Sequence, residues 1–339
     1  MRKSKKAPHT WQRKDHYLKL IESDWYLGIV ELENEISYAT YDFYKGKNIK
    51  TLYLPITTSS ISSPMGLGSD SKPVMVDMFG VDTYLADSMQ FMLEYGCRLN
   101  KEGCFYIMPS FRGESADDRH LCQFFHSEVE IPGTMRDIMD LAEEYIRYLS
   151  KRLLDNCSDI ILEFAGTTEH IEKLIKMESI PEIKYFDAIE LLNNEYIDCV
   201  NVDENGYSLI NSKGEKALIE RFGGFVWITE MDKMIVPFYQ AFDGYDNRVA
   251  KCADLLFGIG EVIGSGERHV NGEEIKNSLD IHQVGTSEYE WYIGLKDKYP
   301  IQTSGFGMGI ERFLLWVLHH DDIRDCQILV RQNGESVIP

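Results

Sequence analysis

The stretch that most restricts this chain runs Ser304-Gly305-Phe306-Gly307-Met308-Gly309-Ile310-Glu311-Arg312 and continues into Phe313-Leu314-Leu315-Trp316-Val317-Leu318. Three alternate glycines weaken any strand, because each costs backbone entropy and supplies no packing. On a strand they all fall on one face, which leaves the backbone bare enough for a flat ligand to lie against it. The apolar run that follows predicts a buried helix opening with Glu311 and Arg312. Arg312 then stands where the bare face ends, with a planar guanidinium suited to stacking on a base or pairing with phosphate. The bland alternative is a glycine-rich strand turning into a core helix.

A second stretch shifts the balance. Phe111-Arg112-Gly113-Glu114, a polar loop over 115–119, and His120-Leu121-Cys122-Gln123-Phe124 lead into Ser127-Glu128-Val129-Glu130-Ile131. The pattern predicts strand, loop, strand, with an arginine, an acid two residues on and a returning aromatic. A third stretch, Asp254 to Arg268, holds Glu261, Gly264 and Gly266.

Together these three stretches resemble motif 2, motif 3 and the intervening region of the class II aminoacyl-tRNA synthetases, in the aspartyl/asparaginyl subclass. The resemblance covers roughly residues 40–339. It implies an α+β fold with a central antiparallel sheet of six to seven strands flanked by helices. It also implies ATP and Mg2+, and carboxyl activation: an amino-acid carboxylate attacks the α-phosphorus, an aminoacyl adenylate forms and pyrophosphate leaves. The resemblance assigns Arg112 to the carboxylate and α-phosphate, and Glu114 to the adenine amino group. Phe124 and Arg312 would stack on either face of the ring, above Gly307 and Gly309. Arg119 or His120 would reach the γ-phosphate, and Asp254 with Glu261 would hold the metal through hard oxygen ligands. Arg112, Arg312 and Glu261 are thus the expected catalytic set.

The amino acid would be framed by Ser88, Gln90, Glu128, Glu130 and Gly264, with Arg268 on its side chain. Aspartate enzymes place a lysine three residues beyond the glutamine, where this chain has Leu93, followed by Glu94. A buried Glu94 would repel a β-carboxylate and accept from a β-amide, which favours asparagine or a neutral analogue over aspartate. Several positions depart from the family pattern. Gln123 replaces an acid, Thr303 replaces a histidine, and Asp117-Asp118 sit in the loop that would meet a tRNA acceptor end. Adenylation stays credible, and tRNA charging is put in doubt. The expected acceptor is therefore a small amine or another non-tRNA nucleophile. Genuine tRNA ligation, ammonia-dependent asparagine synthesis and a non-catalytic nucleotide-binding paralogue are the alternatives.

Charge bears on the acceptor. The net charge is −20, yet residues 1–20 carry seven Lys/Arg against one Asp, so the rest sums to −26. An acidic body repels a polyphosphate backbone. Residues 1–16 read as a basic tail and 17–339 as one catalytic domain. Helical spacing over 15–45, Gly46 and a strand over 49–54 ending at Pro55 resemble motif 1, which implies a homodimer. Only about forty residues precede that region, too few for a five-stranded anticodon-binding barrel, so a catalytic core alone is expected. Thr57–Ser71, centred on Pro64-Met65-Gly66-Leu67-Gly68, reads as a mobile loop over the amino-acid pocket. Strands are expected at 74–78, 83–86, 225–229 and 236–239. Helices are expected at 91–99, 134–155, 168–178 and from 185, with a surface excursion over 195–216. Seven scattered cysteines without Cys-x-x-Cys fit reduced thiols in a cytoplasm. No run reaches the roughly 18 apolar residues that span a bilayer.

Overall fold

The computed structural model describes residues 6–63 and 72–336. Residues 1–5 of the basic tail and the Ser/Gly-rich centre of the expected pocket loop, 64–71, lie outside the described residues.

The chain opens with α1 (His16–Ile21) and the 23-residue α2 (Asp24–Gly46), then β1 (Lys50–Thr51), β2 (Thr57–Thr58), β3 (Val74–Asp77), β4 (Asp82–Leu85) and α3 (Gln90–Gly96). The hairpin β5 (Cys104–Phe111) and β6 (Gln123–Pro132) leads to the 31-residue α4 (Met135–Ala165). Next come α5 (Glu169–Lys176), β7 (Glu182–Lys184), α6 (Tyr185–Glu195), β8 (Val200–Val202), β9 (Ser208–Ile210), α7 (Ser212–Arg221) and β10 (Phe225–Thr229). The last third holds β11 (Cys252–Phe257), β12 (Gly260–Glu267), α8 (Gly272–Ile281), α9 (Glu290–Lys298), β13 (Thr303–Gly309) and α10 (Ile310–Val317).

Eight strands form the central sheet in the order β1-β5-β6-β13-β12-β11-β10-β7. The inner six pair antiparallel; β1 on β5 and β7 on β10 pair parallel at the two edges. The expected sheet is present, but it has eight strands and is mixed. The edge pairs are two and three residues long, too short to leave a clear alternation in the sequence.

One face of the sheet is sealed. Phe306 and Met308 of β13 and Val129 of β6 join α2, α4 and α10 in the main core. Helix α4 starts on a capping box, in which the Thr134 side chain accepts from the Asp137 amide and Asp137 bonds back to the Thr134 amide. Gly166 ends it in a left-handed conformation at φ 76°. A buried polar thread crosses this core: Thr40 Oγ1 lies 2.7 Å from Tyr145 Oη, which lies 2.9 Å from Ser127 Oγ.

Among the described residues, two helical clusters cover the ends of the other face. Helices α6 and α7 pack over β10 and β11, with Leu192, Leu218, Val226 and Leu256 in one cluster. Beyond the opposite end, Phe91, Phe238, Tyr289 and Tyr292 form another from α3, α9 and the segments beside them. The sheet between them carries the site.

Two local expectations change. Residues 236–239 are a turn after a 3-10 helix, Lys233–Ile235, rather than a strand of the sheet; Pro237 has no amide for a ladder. The strand expected over 49–54 keeps only Lys50–Thr51, although the Leu52 amide still reaches Phe105 O at 2.9 Å. Part of the basic N-terminal stretch also bonds to the C-terminal segment. His16 Nε2 lies 2.9 Å from Ile328 O, and His9 Nδ1 lies 2.6 Å from Asp325 Oδ2.

Candidate active site

Antiparallel register converts the three sequence stretches into one surface. Phe124, His126, Glu128 and Glu130 alternate along β6 and so share a face. Across from them on β13, His126 faces Gly309, Glu128 faces Gly307 and Glu130 faces Gly305. One strand further, Gly307 faces Gly264 and Gly305 faces Gly266 on β12. Asp254 on β11 then faces Gly264. Acidic residues thus stand on both sides of a two-strand glycine floor.

The floor is not bare. A Cβ on Gly305 would strike the Glu130 carboxylate and the Gln90 amide, and one on Gly307 would meet Glu128 Oε1 at 3.0 Å. A Cβ on Gly266 would strike the Gln240 side chain; at Gly264 it would meet Glu261 Oε1 at 2.8 Å and Asp254 Oδ1 at 3.5 Å. The space cleared by these four glycines therefore holds the chain's own polar side chains. Only above Gly309 would a Cβ find ordinary contacts, the nearest 3.6 Å away on Arg312.

At one end of the trough, Arg112 follows β5 and its guanidinium lies over the Phe124 ring, 5.6 Å from the centroid. Among the described residues its Nε is buried without a hydrogen-bond partner, as is Glu114 Oε2. The other Glu114 oxygen accepts from the Lys72 amide at 2.6 Å. An unsatisfied buried donor or acceptor costs on the order of 1–3 kcal/mol, so these atoms favour a ligand that completes them. Arg312, from the first turn of α10, donates to Glu261 O at 2.7 Å. Burial, then the Arg112 and Arg312 charges, hold the His126 imidazole down at about 3. Arg112 lies over Phe124, which packs edge-on against His126, and the Arg312 side chain is the nearest neighbour above Gly309, so both arginines stand on this face of the sheet.

Asp254 and Glu261 converge over Gly264. Burial, then the Glu261 and Glu215 charges, push the Asp254 carboxyl well above the usual range. A pair of converging carboxylates is suited to a hard cation, and two protein oxygens leave Mg2+ positions for phosphate and water. Arg119 is held at 2.5 Å from Glu215 Oε2, beside the β11–β12 turn. His120 is not brought in: half-exposed, it bonds Asp117 of its own loop at 2.9 Å.

At the other end Arg268 is buried, with Nη2 3.1 Å from Glu130 Oε2 and Nη1 2.9 Å from Gln240 Oε1. Gln90 Nε2 donates to Glu130 at 2.7 Å and Ser88 Oγ to Glu128 at 2.7 Å. Glu94 is fully buried, but its oxygens are taken: Tyr292 Oη donates to one at 2.6 Å and the Lys296 ammonium pairs with the other. Leu93 points into a separate cluster with Met89, Cys104 and Tyr106. Of the family departures, Thr303 is buried at the end of the glycine column with Oγ1 unpaired.

The sequence reading missed His126, Glu215, Gln240 and Lys296. His126 had a signal, since it occupies the alternate slot between Phe124 and Glu128. The others had none, because each reaches the site from a different element.

The buried carboxyls carry a consequence for stability. Burial raises Glu128 to about 8 and Glu311 to about 7, against an ordinary 4.5. The folded state therefore binds protons that the unfolded chain releases. The stability they contribute is complete below about 4.5 and is lost as pH rises to about 8. His126, depressed to about 3 from 6.5, acts in the opposite sense and only below 6.5. The unliganded protein should lose several degrees of Tm between pH 6.5 and 8.5 by about the amount the linkage slope sets. Glu128→Gln should flatten part of that slope in thermal melts across the range; an unchanged slope would show that Glu128 is not protonated in the empty pocket.

Two arginines, an aromatic and glycine surface, and paired carboxylates thus come together on the inner, antiparallel strands of the sheet. A sequence model for tRNA synthetases class II (D, K and N) matches residues 9–333, and the chain belongs to that family. Among solved structures it is similar to asparaginyl-tRNA synthetase from Pyrococcus horikoshii complexed with asparaginyl-adenylate. That match has 25% identity and TM-score 0.85, covering 95% of this chain and 72% of the other. The Entamoeba histolytica asparaginyl-tRNA synthetase in complex with asparaginyl-adenylate superposes with TM-score 0.81 at 20% identity, over 98% of this chain and 72% of the other. A putative aspartyl-tRNA synthetase from Leishmania major Friedlin gives 0.75 at 19%, over 92% and 66%. The last two speak for the fold alone. No helix among the described residues is long and apolar enough to cross a membrane.

Proposed function

We propose that the chain is an ATP-dependent, AMP-forming ligase that activates asparagine, or a close neutral analogue, as its adenylate and passes it to a small amine. The observation that carries this is the pair of arginines on one side of the sheet, with Arg112 Nε and Glu114 Oε2 buried and unpaired among the described residues beside them. In-line attack of a carboxylate on a phosphate brings two anions together, so the protein's work is charge compensation and positioning. Arg112 bridges the two anions. Arg312 and Phe124 enclose the base, and Glu114 accepts from its amino group. Asp254 and Glu261 would hold Mg2+, which when bound supplies charge neutralisation to the phosphates.

The preference for an amide rests on charge balance. Arg268 is paired with Glu130 and Lys296 with Glu94, all four buried. A wall of two compensated pairs has no cation to spare for a β-carboxylate, whereas it tolerates a neutral amide. The acidic body and the Asp117-Asp118 loop favour an amine over a polyphosphate as acceptor. Exposed aromatics on and beyond α2, among them Tyr38 and the 90%-exposed Tyr53, support a homodimer through this face.

ATP–pyrophosphate exchange with asparagine, aspartate and neutral analogues, with and without tRNA, tests the reading. Exchange with asparagine and no tRNA charging is the expected result. Charging of tRNA would establish the tRNA-ligase alternative; exchange with aspartate that ammonia turns into asparagine would establish the synthetase of that amide. Absence of exchange with every amino acid would leave a nucleotide-binding paralogue.

A further inference from the structure

We infer that His126 is the catalytic base of the transfer step, accepting the proton that an amine acceptor loses as it displaces AMP from the adenylate. The inference rests on the adenylation reading above and adds to it a residue and a second half-reaction.

Position comes first. The four site-facing residues of β6 lie about 6.8 Å apart in succession, two strand residues each. Phe124, beside Glu114 and under Arg112, marks the nucleobase end; Glu130, paired with Arg268, marks the side-chain end. His126 falls between them, level with the junction of carboxyl and phosphate. It faces Gly309, where the nearest described neighbour of an added Cβ is the Arg312 side chain at 3.6 Å.

Chemistry comes second. His126 Nδ1 lies 2.9 Å from Ser110 Oγ and 3.3 Å from Glu128 Oε1. The tautomer with a proton on Nδ1 donates to these oxygens and leaves the Nε2 lone pair free. No described residue hydrogen-bonds Nε2. The ring is fixed edge-on to Phe124, centroids 4.7 Å apart. The charged or titratable groups facing it are Arg112, Arg312 and Glu128. Burial, and after it the two cations, keep the empty site's imidazole neutral, the form a base requires. A phosphate anion beside the arginines removes the cations' share of that depression, so the imidazole's basicity rises on binding.

The step balances without any further reagent. The amine nitrogen attacks the acyl carbon and the C–N bond forms. The acyl C–O bond to the phosphate breaks, with its electron pair leaving on AMP. The surplus N–H proton goes to Nε2 and from there to solvent.

The test uses the full chain, asparagine, ATP and hydroxylamine as the amine probe. Pyrophosphate exchange reports adenylation, and single-turnover hydroxamate formation from preformed adenylate reports transfer. His126→Gln keeps a polar side chain of similar reach but cannot take a proton. It should slow transfer about a hundredfold at neutral pH, with a much smaller effect on exchange. Transfer by His126→Ala should be partly restored by added imidazole, which a merely structural role would not permit. Equal losses in both assays, or undiminished transfer in His126→Gln, would overturn the assignment while leaving adenylation intact. Wild-type protein without exchange on any amino acid would instead remove the reading beneath it.

Discussion

Replacing Arg112 by alanine is expected to lower kcat/KM for amino-acid-dependent pyrophosphate exchange by about a thousandfold, the upper range for losing one preorganised donor to developing charge. The fold should be nearly indifferent. The contact found for the Arg112 side chain is the one over Phe124, worth on the order of 0.5–1 kcal/mol, and its Nε has no partner to lose. Arg112→Lys should recover only part of the activity, since a point charge cannot bridge two anions as a planar fork does. Exchange assays beside thermal melts separate the two effects. An Arg112→Ala protein with intact exchange would mean that the arginine is decoration on a nucleotide-binding scaffold.

The second large effect is on stability. Lys296→Met should cost about 3–5 kcal/mol, because it strands Glu94 as an uncompensated buried charge. Both side chains are fully buried, so solvent cannot take over the lost partner. Lys296 also donates to His269 O at 2.7 Å, and that carbonyl would lose its donor as well. The expected fall in Tm is about 4–7 °C. Adding Glu94→Gln to the same protein should recover most of the loss, because a neutral amide removes the stranded charge while keeping the Tyr292 contact. Chemical denaturation of the single and double variants gives the coupling directly. If the double variant is no more stable than the lysine variant alone, the pair does not act as a unit.

Much of the site was legible from local pattern. Alternation on β6 and β13 puts Glu128, Glu130 and the three glycines on one face before any tertiary contact is known. The turn from Gly309 into an apolar helix places Arg312 in that helix's first turn, where the structure has it. Glu94 shows where local pattern stops. Burial could be foreseen, but Lys296 is 202 residues away in the chain and nothing local announces it. The same holds for His120, whose partner Asp117 sits on a loop that folds over itself instead of into the trough. The strand read into 236–239 failed for a different reason. Its aromatics are apolar enough for a sheet, yet they pack between helices, where apolar surface is equally well buried.

What the sequence by itself determined is the chemistry offered to one face: which side chains a strand of period two must present together, and where glycine lets others settle close to the backbone. Only the tertiary structure decided which charges are already spoken for. Arg268, Lys296, Glu94 and Glu130 are each ambiguous alone, as a free ion in the pocket and a neutralised one ask for different substrates. That choice depends on contacts between elements brought together by the sheet, because electrostatic energy in a buried site is set by distance in space rather than separation along the chain.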